Sequence, residues 1–136
     1  MRSWISPTLA FSPMANGFLT GRYTPDTKFE GAKDYRANMP QYTREGYEKA
    51  RGLLVLLTEL AEKKHVTMGQ LSLAWMICKK PYIVPIPGSR KMERLRENFE
   101  AGDIVLAQNE IAMIDAKLDS MQFEVFGGNN IKSPMA

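Results

Sequence analysis

The stretch with the clearest potential for chemistry is IPGSRKMERLRENFEA, residues 86–101. It places four basic side chains in the opening turns of a predicted helix: Arg90, Lys91, Arg94 and Arg96. Cations are disfavoured there, because the helix dipole is positive at its N-terminus. A negatively charged ligand in front of the helix would remove that cost. The stretch therefore predicts an anion site.

The residues just before the predicted helix favour the same kind of ligand. Pro87, Gly88 and Ser89 join a predicted strand directly to the helix, and the backbone N–H groups at such a junction commonly bind phosphate. Arg90 and Arg94 lie one turn apart and repel each other by about 0.2–0.5 kcal/mol in an isolated helix. A bound dianion would more than reverse that repulsion through charge-assisted hydrogen bonds.

Two interpretations of this stretch remain open on residue types alone. Glu97 and Asn98 can pair with the edge of a nucleotide base, because a carboxylate and an amide together accept from and donate to it. Pro-Gly-Ser is equally a common turn between a strand and a helix. RKMERLRE is also an ordinary solvated helix face, in which Glu93 and Glu97 partly balance the cations.

Overall composition excludes several classes of protein. The 136 residues, 44% of them hydrophobic, fit a single domain with its own core. The net charge of +3 falls short of the dense basic stripe of a nucleic-acid-binding protein, so no nucleic-acid partner is expected. The single cysteine, Cys78, rules out an internal disulfide, predicts a buried thiol and fits a reducing cytoplasm.

Signals for secretion, membrane insertion and metal binding are missing from the sequence. Residues 1–15 carry one arginine, and Ser6, Pro7 and Thr8 interrupt the apolar residues before a signal-peptide core can form. No stretch approaches the roughly 18 uninterrupted apolar residues of a membrane span. The only histidine, His65, follows two lysines at a predicted helix end, where a solvated side chain is expected. We expect a cytoplasmic protein without a membrane partner or a metal.

Hydrophobic periodicity and turn residues predict the elements that must position the basic stretch. A short apolar run at residues 9–11 predicts a strand, and residues 14–42, rich in Gly, Pro, Asn, Asp and Thr, predict one long connection. Such connections are usually functional or disordered. Thr43 fits the N-cap of a helix of about five turns. A second helix follows Thr67, which forms a capping-box pattern with Gln70.

The C-terminal half adds a second strand and two more helices. Pro81 ends the second helix, and residues 82–86 predict a strand with three β-branched residues. The last helix is predicted over residues 108–121, and residues 127–136 are expected to form a mobile tail. Between them, Ser89 is the predicted N-cap of a helix with one apolar stripe: Met92, Leu95 and Phe99.

This order of elements is that of a helix-rich α/β protein built from βα units. Two parallel strands do not make a stable layer, because parallel sheets have neighbouring strands and helices on both faces. The second helix, LSLAWMIC with Trp75 expected in the core, is apolar on nearly every side and cannot be covered by one such chain. The sequence therefore predicts an incomplete domain that self-associates through its open sheet edges.

Three segments of the chain resemble the aldo-keto reductases, in the order in which that family has them. IPGSR, RL and EN within residues 86–98 resemble the cofactor signature near the C-terminus of the family. AFSPMANGFLTGRY, residues 10–23, is similar to the segment after its seventh barrel strand. TMGQLSLAW, residues 67–75, resembles the helix before its eighth strand. The resemblance covers about residues 9–121.

The resemblance implies a partial (β/α)8 TIM barrel, of which residues 1–136 form a single incomplete domain: the last two βα units plus the C-terminal helix. It also implies NADP(H) lying across the C-terminal mouth of the barrel. Two arginines favour NADP over NAD, because NAD-binding sites place a carboxylate near the ribose hydroxyl. The implied cofactor residues are Ser12, Met14, Asn16, Gly17 and Leu19 at the pyrophosphate and nicotinamide side, and Pro87, Gly88, Ser89, Arg90, Arg94, Glu97 and Asn98 at the 2′-phosphate and adenine.

The family's catalytic groups are expected to be absent from this chain. Its chemistry resembles general acid catalysis by a tyrosine tuned by Lys, Asp and His, all from earlier strands. The tyrosines here fall in the long connection, in the first helix or at the start of a strand, so none is assigned a catalytic role. The chain is interpreted as the cofactor-binding part of an NADP(H)-dependent reductase of aldehydes or ketones, inactive alone. A non-catalytic nucleotide-binding or regulatory module and a non-functional truncated gene product are the alternatives.

Overall fold

The computed structural model describes residues 6–30 and 33–121; the predicted tail at 127–136 lies outside them. Two short strands and four α-helices follow in the order β1 (Thr8–Phe11), α1 (Arg44–Lys64), α2 (Met68–Lys79), β2 (Ile83–Ile86), α3 (Met92–Glu100) and α4 (Gln108–Asp119). Both strands predicted from the sequence are confirmed to within one residue. None of the helices in the described ranges is long and apolar enough to cross a membrane.

The two strands pair in parallel and are covered on one face only. The register aligns Leu9 with Val84 and Phe11 with Ile86, so these four side chains share a face. All four are exposed, by 43% to 78%. The other face, with Pro85, packs toward α2 and is half-buried. The small sheet therefore presents a bare apolar surface.

Helix α1 supplies one side of the core. It begins at Thr43, whose Oγ1 accepts a hydrogen bond of 3.0 Å from the N–H of Gly46, as the sequence predicts. Its buried stripe packs against α2 and α4 in one cluster, which includes Leu53, Leu57, Leu60, Leu71, Ala74, Ile111 and Ile114. The helix ends at His65, which adopts a left-handed conformation with φ of 56° and is exposed.

Helix α2 has the predicted capping box, but it is buried only in its first half. Thr67 Oγ1 accepts from the N–H of Gln70, and Gln70 Oε1 accepts from the N–H of Thr67, both at 3.1 Å. In the second half of α2, Trp75 and Cys78 pack against the core cluster but are only half-buried, so the prediction of a buried thiol at Cys78 is wrong. The indole N–H donates to Asp115 Oδ1 at 2.9 Å, which keeps the ring at the edge of the core.

The connection predicted over residues 14–42 contains ordered structure. Its described residues include three 3₁₀ helices, Ala15–Thr20, Tyr35–Asn38 and Pro40–Tyr42. A cluster of aromatic rings with centroids 4.8 to 5.7 Å apart holds it together: Phe18, Tyr23, Phe29, Tyr42 and Tyr47. The long connection is therefore packed against the start of α1.

Helix α3 departs most from its prediction. It begins at Met92 with Lys91 as its N-cap residue, so the prediction that Ser89 caps it is wrong. Residues 87–91 form a non-helical link instead, in which Ser89 Oγ accepts from the N–H of Lys91 at 3.1 Å. The apolar stripe is present but uncovered by the described residues, and Phe99 is 84% exposed.

Candidate functional site

The C-terminal ends of β1 and β2 open onto one groove of about 700 Å³. Parallel strands point the same way, so the segments that follow them meet at one edge of the sheet, where α/β proteins bind ligands. Both predicted cofactor segments reach this groove. The predicted residues that line it are Ser12, Met14, Asn16, Gly17, Pro87, Gly88 and Arg90.

The segment after β1 enters the groove with unusual backbone angles. Ser12, Ala15 and Asn16 have φ of 47°, 49° and 59°, in the left-handed region that residues other than glycine rarely adopt. Hydrogen bonds impose these angles: Ala15 N–H donates to Ser12 O at 2.8 Å, and the Tyr42 hydroxyl donates to Asn16 O at 2.9 Å. Residues held in such conformations cluster at binding sites.

Two glycines border the groove for different reasons. Gly17 has φ of 95°, and a Cβ at this position would lie 3.1 Å from Tyr23 Cε2, so the aromatic cluster itself requires glycine. A Cβ at Gly88 would meet no atom of the described residues within 4 Å. The space beside Gly88 is the open groove, so the backbone there is accessible to a ligand.

The remaining predicted site residues lie away from the groove. Leu19 packs its side chain against the core. Arg94 forms an ion pair with Glu97 on the same helix. Asn98 is half-buried on α3, and Ser89 is half-buried in the link before it. The basic side chains of residues 90–96 therefore do not share one environment. Arg90 faces the groove, whereas Arg94 is paired with a carboxylate.

Glu97 has a second contact, with the start of α2. Its Oε1 accepts a hydrogen bond of 2.6 Å from the hydroxyl of Thr67. Burial acts to raise the pKa of the Glu97 carboxyl, but the hydrogen bonds from Thr67 and Arg94 outweigh it and hold that pKa below its ordinary value. The carboxylate is therefore ionised at neutral pH.

The long connection forms a third wall of the groove, which the sequence did not predict. This wall consists of Lys33, Asp34, Tyr35 and Arg36. The Tyr35 hydroxyl donates to Asn16 Oδ1 at 3.4 Å, which ties this wall to the segment after β1. The only sequence signal was an Asp two residues before an Arg inside an otherwise aperiodic stretch.

Arg36 fixes the third wall and is itself fully engaged. Its Nε donates to Asp34 Oδ1 at 2.9 Å, and its Nη1 donates to the Tyr23 hydroxyl at 2.7 Å. Its guanidinium lies 4.6 Å from the centre of the Phe29 ring. The hydrogen bond from Arg36, the largest effect, holds the pKa of Asp34 below its ordinary value. Arg36 thus organises the wall, which leaves Lys33 as its exposed cation.

The described residues offer little for acid–base or metal chemistry. No group of three or more His, Cys, Asp or Glu side chains within 6–30 and 33–121 can hold a metal ion. Burial, the main cause, raises the pKa of Tyr42 and of Tyr47. Tyr42 uses its hydroxyl to fix the backbone of Asn16, and the buried hydroxyl of Tyr47 has no hydrogen-bond partner among the described residues.

Known proteins with similar sequences and structures are aldo-keto reductases and a dehydrogenase. The chain is 35% identical over 115 residues to the aldo-keto reductase yakc of Schizosaccharomyces pombe, whose name specifies NADP(+). The match covers 84% of this chain and 33% of that protein. It is 34% identical over 106 residues to the aldo-keto reductase str7 of Strobilurus tenacellus, covering 78% and 31%. A glycerol dehydrogenase from Gluconobacter oxydans matches in structure with a TM-score of 0.71 and 25% identity, covering 81% and 33%.

The chain thus spans about a third of the length of the curated relatives that it matches. The helix-rich α/β fold with a small parallel sheet corresponds to part of a TIM barrel, as the sequence predicts. A sequence model of the Aldo/keto reductase family matches residues 6–119, which include both segments that meet at the groove. The chain belongs to the aldo/keto reductase family of oxidoreductases.

Proposed function

We propose that this chain is the cofactor-binding C-terminal part of an NADP(H)-dependent reductase of aldehydes or ketones. The observation that carries the proposal is the groove at the C-terminal ends of β1 and β2, with Arg90 on one wall and Lys33 on another. Such a groove suits an extended dinucleotide with a negatively charged middle. The name of the relative yakc supports NADP(+) as that dinucleotide.

The proposed contacts follow the two segments. The segment after β1 offers its backbone to the pyrophosphate and nicotinamide side, through Ser12, Met14, Asn16, Gly17 and Leu19. The link after β2 brings Pro87 and Gly88 beside the cofactor. Ser89, Arg90 and Arg94 hold the 2′-phosphate, with Glu97 and Asn98 near the adenine. A guanidinium suits a phosphate because its N–H groups form a planar fork.

We infer that the chain binds the cofactor without catalysing reduction by itself. NADPH supplies a hydride when bound, and the carbonyl oxygen then needs a proton donor. We assign this task to none of the tyrosines: Tyr42 and Tyr47 pack in the aromatic cluster, and Tyr35, on the third wall of the groove, donates its hydroxyl to Asn16 Oδ1. We assign the binding of the carbonyl substrate and the proton donor to the rest of the barrel, which the longer relatives have in addition to the part matched here. The free thiol of Cys78 suits our proposal of a cytoplasmic location.

A fluorescence titration with NADPH and with NADH tests this proposal. We expect the chain to bind NADPH more tightly, and Arg94→Ala to lower the affinity for NADPH by about 10- to 100-fold, the usual effect of losing a charge-assisted hydrogen bond. Arg96→Ala, an exposed arginine on the same helix, is the matched control and should change little. Equal affinity for the two nucleotides, or equal effects of the two variants, would contradict the proposal.

A non-catalytic binding module is the second candidate, and one observation favours it. The apolar face of the sheet and the stripe of α3 are both exposed, which suits a chain that works against another protein surface. A specific partner recovered by affinity capture, without any nucleotide preference in the titration, would favour this candidate over the first.

A further inference from the structure

Arg94 is held in place through a residue on a different helix. Its guanidinium pairs with Oε2 of Glu97, one turn further along α3. The other oxygen of that carboxylate accepts the hydrogen bond from the hydroxyl of Thr67, the N-cap of α2. A continuous set of polar contacts therefore runs from the start of α2 to Arg94.

These polar contacts matter because α3 has little hydrophobic anchorage. Among the described residues, no side chain of α3 is buried. Gln70, itself buried, adds a second attachment: its Nε2 donates to the backbone O of Glu97 at 3.1 Å and to Glu100 Oε2 at 3.3 Å. The first turn of α2 therefore determines where α3 lies.

The same turn also touches the segment after β1. A Cβ built on Gly69 would lie 3.3 Å from Met14 Sδ and 3.8 Å from Glu97 Oε1. Gly69 thus sits between the two segments proposed to bind the cofactor. The start of α2 sets the spacing of both.

We propose that Thr67 and Glu97 are positioning residues that hold Arg94 ready for the 2′-phosphate. This inference rests on the proposed function, and it gives Glu97 a role in addition to its proposed place near the adenine. A guanidinium has five N–H donors, so Arg94 can keep its pair with Glu97 while others bind phosphate. Its side chain is 36% exposed and that of Glu97 20%, which leaves the cation accessible and its anchor covered. Holding the fork in advance reduces the entropy lost on binding.

The ratio of the NADH and NADPH dissociation constants tests this role. Thr67→Val removes the hydroxyl but preserves the shape of the side chain, and we expect it to lower the preference for NADPH by about three- to tenfold, as one hydrogen bond would. Thr67→Ser keeps a hydroxyl and should restore the preference. Thr43→Val is the matched control, because it removes the same kind of N-cap from α1. It should lower stability to a similar extent and leave the ratio unchanged.

A second measurement separates this inference from the proposed function. Without nucleotide, NMR follows hydrogen exchange and hindered rotation of the Arg94 guanidinium in the full chain. We expect both to become faster in Thr67→Val and to stay as in the unmodified chain in Thr43→Val. If the chain shows no NADPH preference but this response is present, the proposed function fails and the positioning contact stands. An unchanged ratio and unchanged guanidinium dynamics in Thr67→Val would overturn the inference.

Discussion

At the scale of single residues, a buried carboxylate makes one half of a capping box at the start of α4. Helix α4 begins after Ala107, whose side chain cannot accept a hydrogen bond. Glu110 supplies the other half of the capping box: its Oε2 accepts from the N–H of Ala107 at 2.8 Å and pairs with Lys64 Nζ at 3.0 Å. Burial acts to raise the pKa of Glu110, but these two contacts outweigh it and lower that pKa.

Because the pKa of Glu110 is lowered in the folded chain, the free energy of unfolding depends on pH. A carboxyl whose folded pKa lies below its unfolded value contributes stability above the unfolded value, here 4.5, and loses it as pH falls through the folded value. We expect the free energy of unfolding in urea to fall below about pH 4.5. Glu110→Gln keeps an acceptor for the N–H of Ala107 and should show a shallower fall.

Glu59→Gln is the matched control for this prediction, because Glu59 is exposed on α1. It should leave the acid dependence as it is in the unmodified chain. If Glu110→Gln and the unmodified chain lose stability in parallel between pH 7 and pH 3, the contacts of Glu110 do not stabilise its charged form.

At the scale of elements, Arg36 joins parts of the long connection that are separated in sequence. Arg36 joins Asp34, Tyr23 and Phe29, three residues from different parts of residues 21–42. Fixing so long a segment costs conformational entropy, which a few bidentate and aromatic contacts must offset. Arg36 therefore stabilises the third wall of the groove together with the aromatic cluster.

Arg36→Ala should therefore loosen the connection. We expect a lower free energy of unfolding, because Asp34 loses the guanidinium with which it forms its hydrogen bonds and ion pair. Limited proteolysis should cut residues 21–42 faster, and the near-UV circular dichroism of the tyrosines should weaken. Arg36→Lys should not restore either signal, since lysine cannot form the fork.

Lys28→Ala, at an exposed lysine of the same connection, is the control. It should leave proteolysis and the tyrosine signal unchanged. Equal resistance of Arg36→Ala and the unmodified chain to protease would show that the aromatic cluster holds the connection without Arg36.

At the scale of the whole molecule, the helices cover only one side of the sheet. Leu9, Phe11, Val84 and Ile86 face away from α2, and the described residues place nothing over them. An exposed apolar face with open strand edges is a template for pairing with another chain. The self-association expected from the sequence thus has a defined surface on which to occur.

Leu9→Lys tests the self-association of this surface. We expect the unmodified chain to form dimers or larger species as its concentration rises, measured by size-exclusion chromatography with light scattering. A charge in the apolar face opposes such pairing, so Leu9→Lys should shift the chain to monomer. Val55→Lys, at an exposed apolar residue of α1, should not. A monomeric unmodified chain at every concentration would contradict this prediction.

Local signals account for what was predictable in the fold. The caps at Thr43 and Thr67 depend on atoms three residues apart, so residue types alone revealed them. The periodicity of α3 correctly grouped Met92, Leu95 and Phe99 on one stripe, but periodicity does not say what covers a stripe. The predicted N-cap of α3 at Ser89 is wrong. Its hydroxyl accepts from the N–H of Lys91 inside a non-helical link, and residue types alone do not distinguish this turn from a helix cap.

By itself, the sequence determined the helices, the two strands, the family and the pair of segments that meet at the groove. Each of these depends on spacing along the chain or on matched residues. Tertiary structure alone decided that Lys33 and Tyr35 complete the groove and that Glu97, the partner of Arg94, accepts a hydrogen bond from Thr67, 30 positions earlier. Such contacts form only after the chain closes on itself, so their partners are chosen by packing rather than by neighbouring residues.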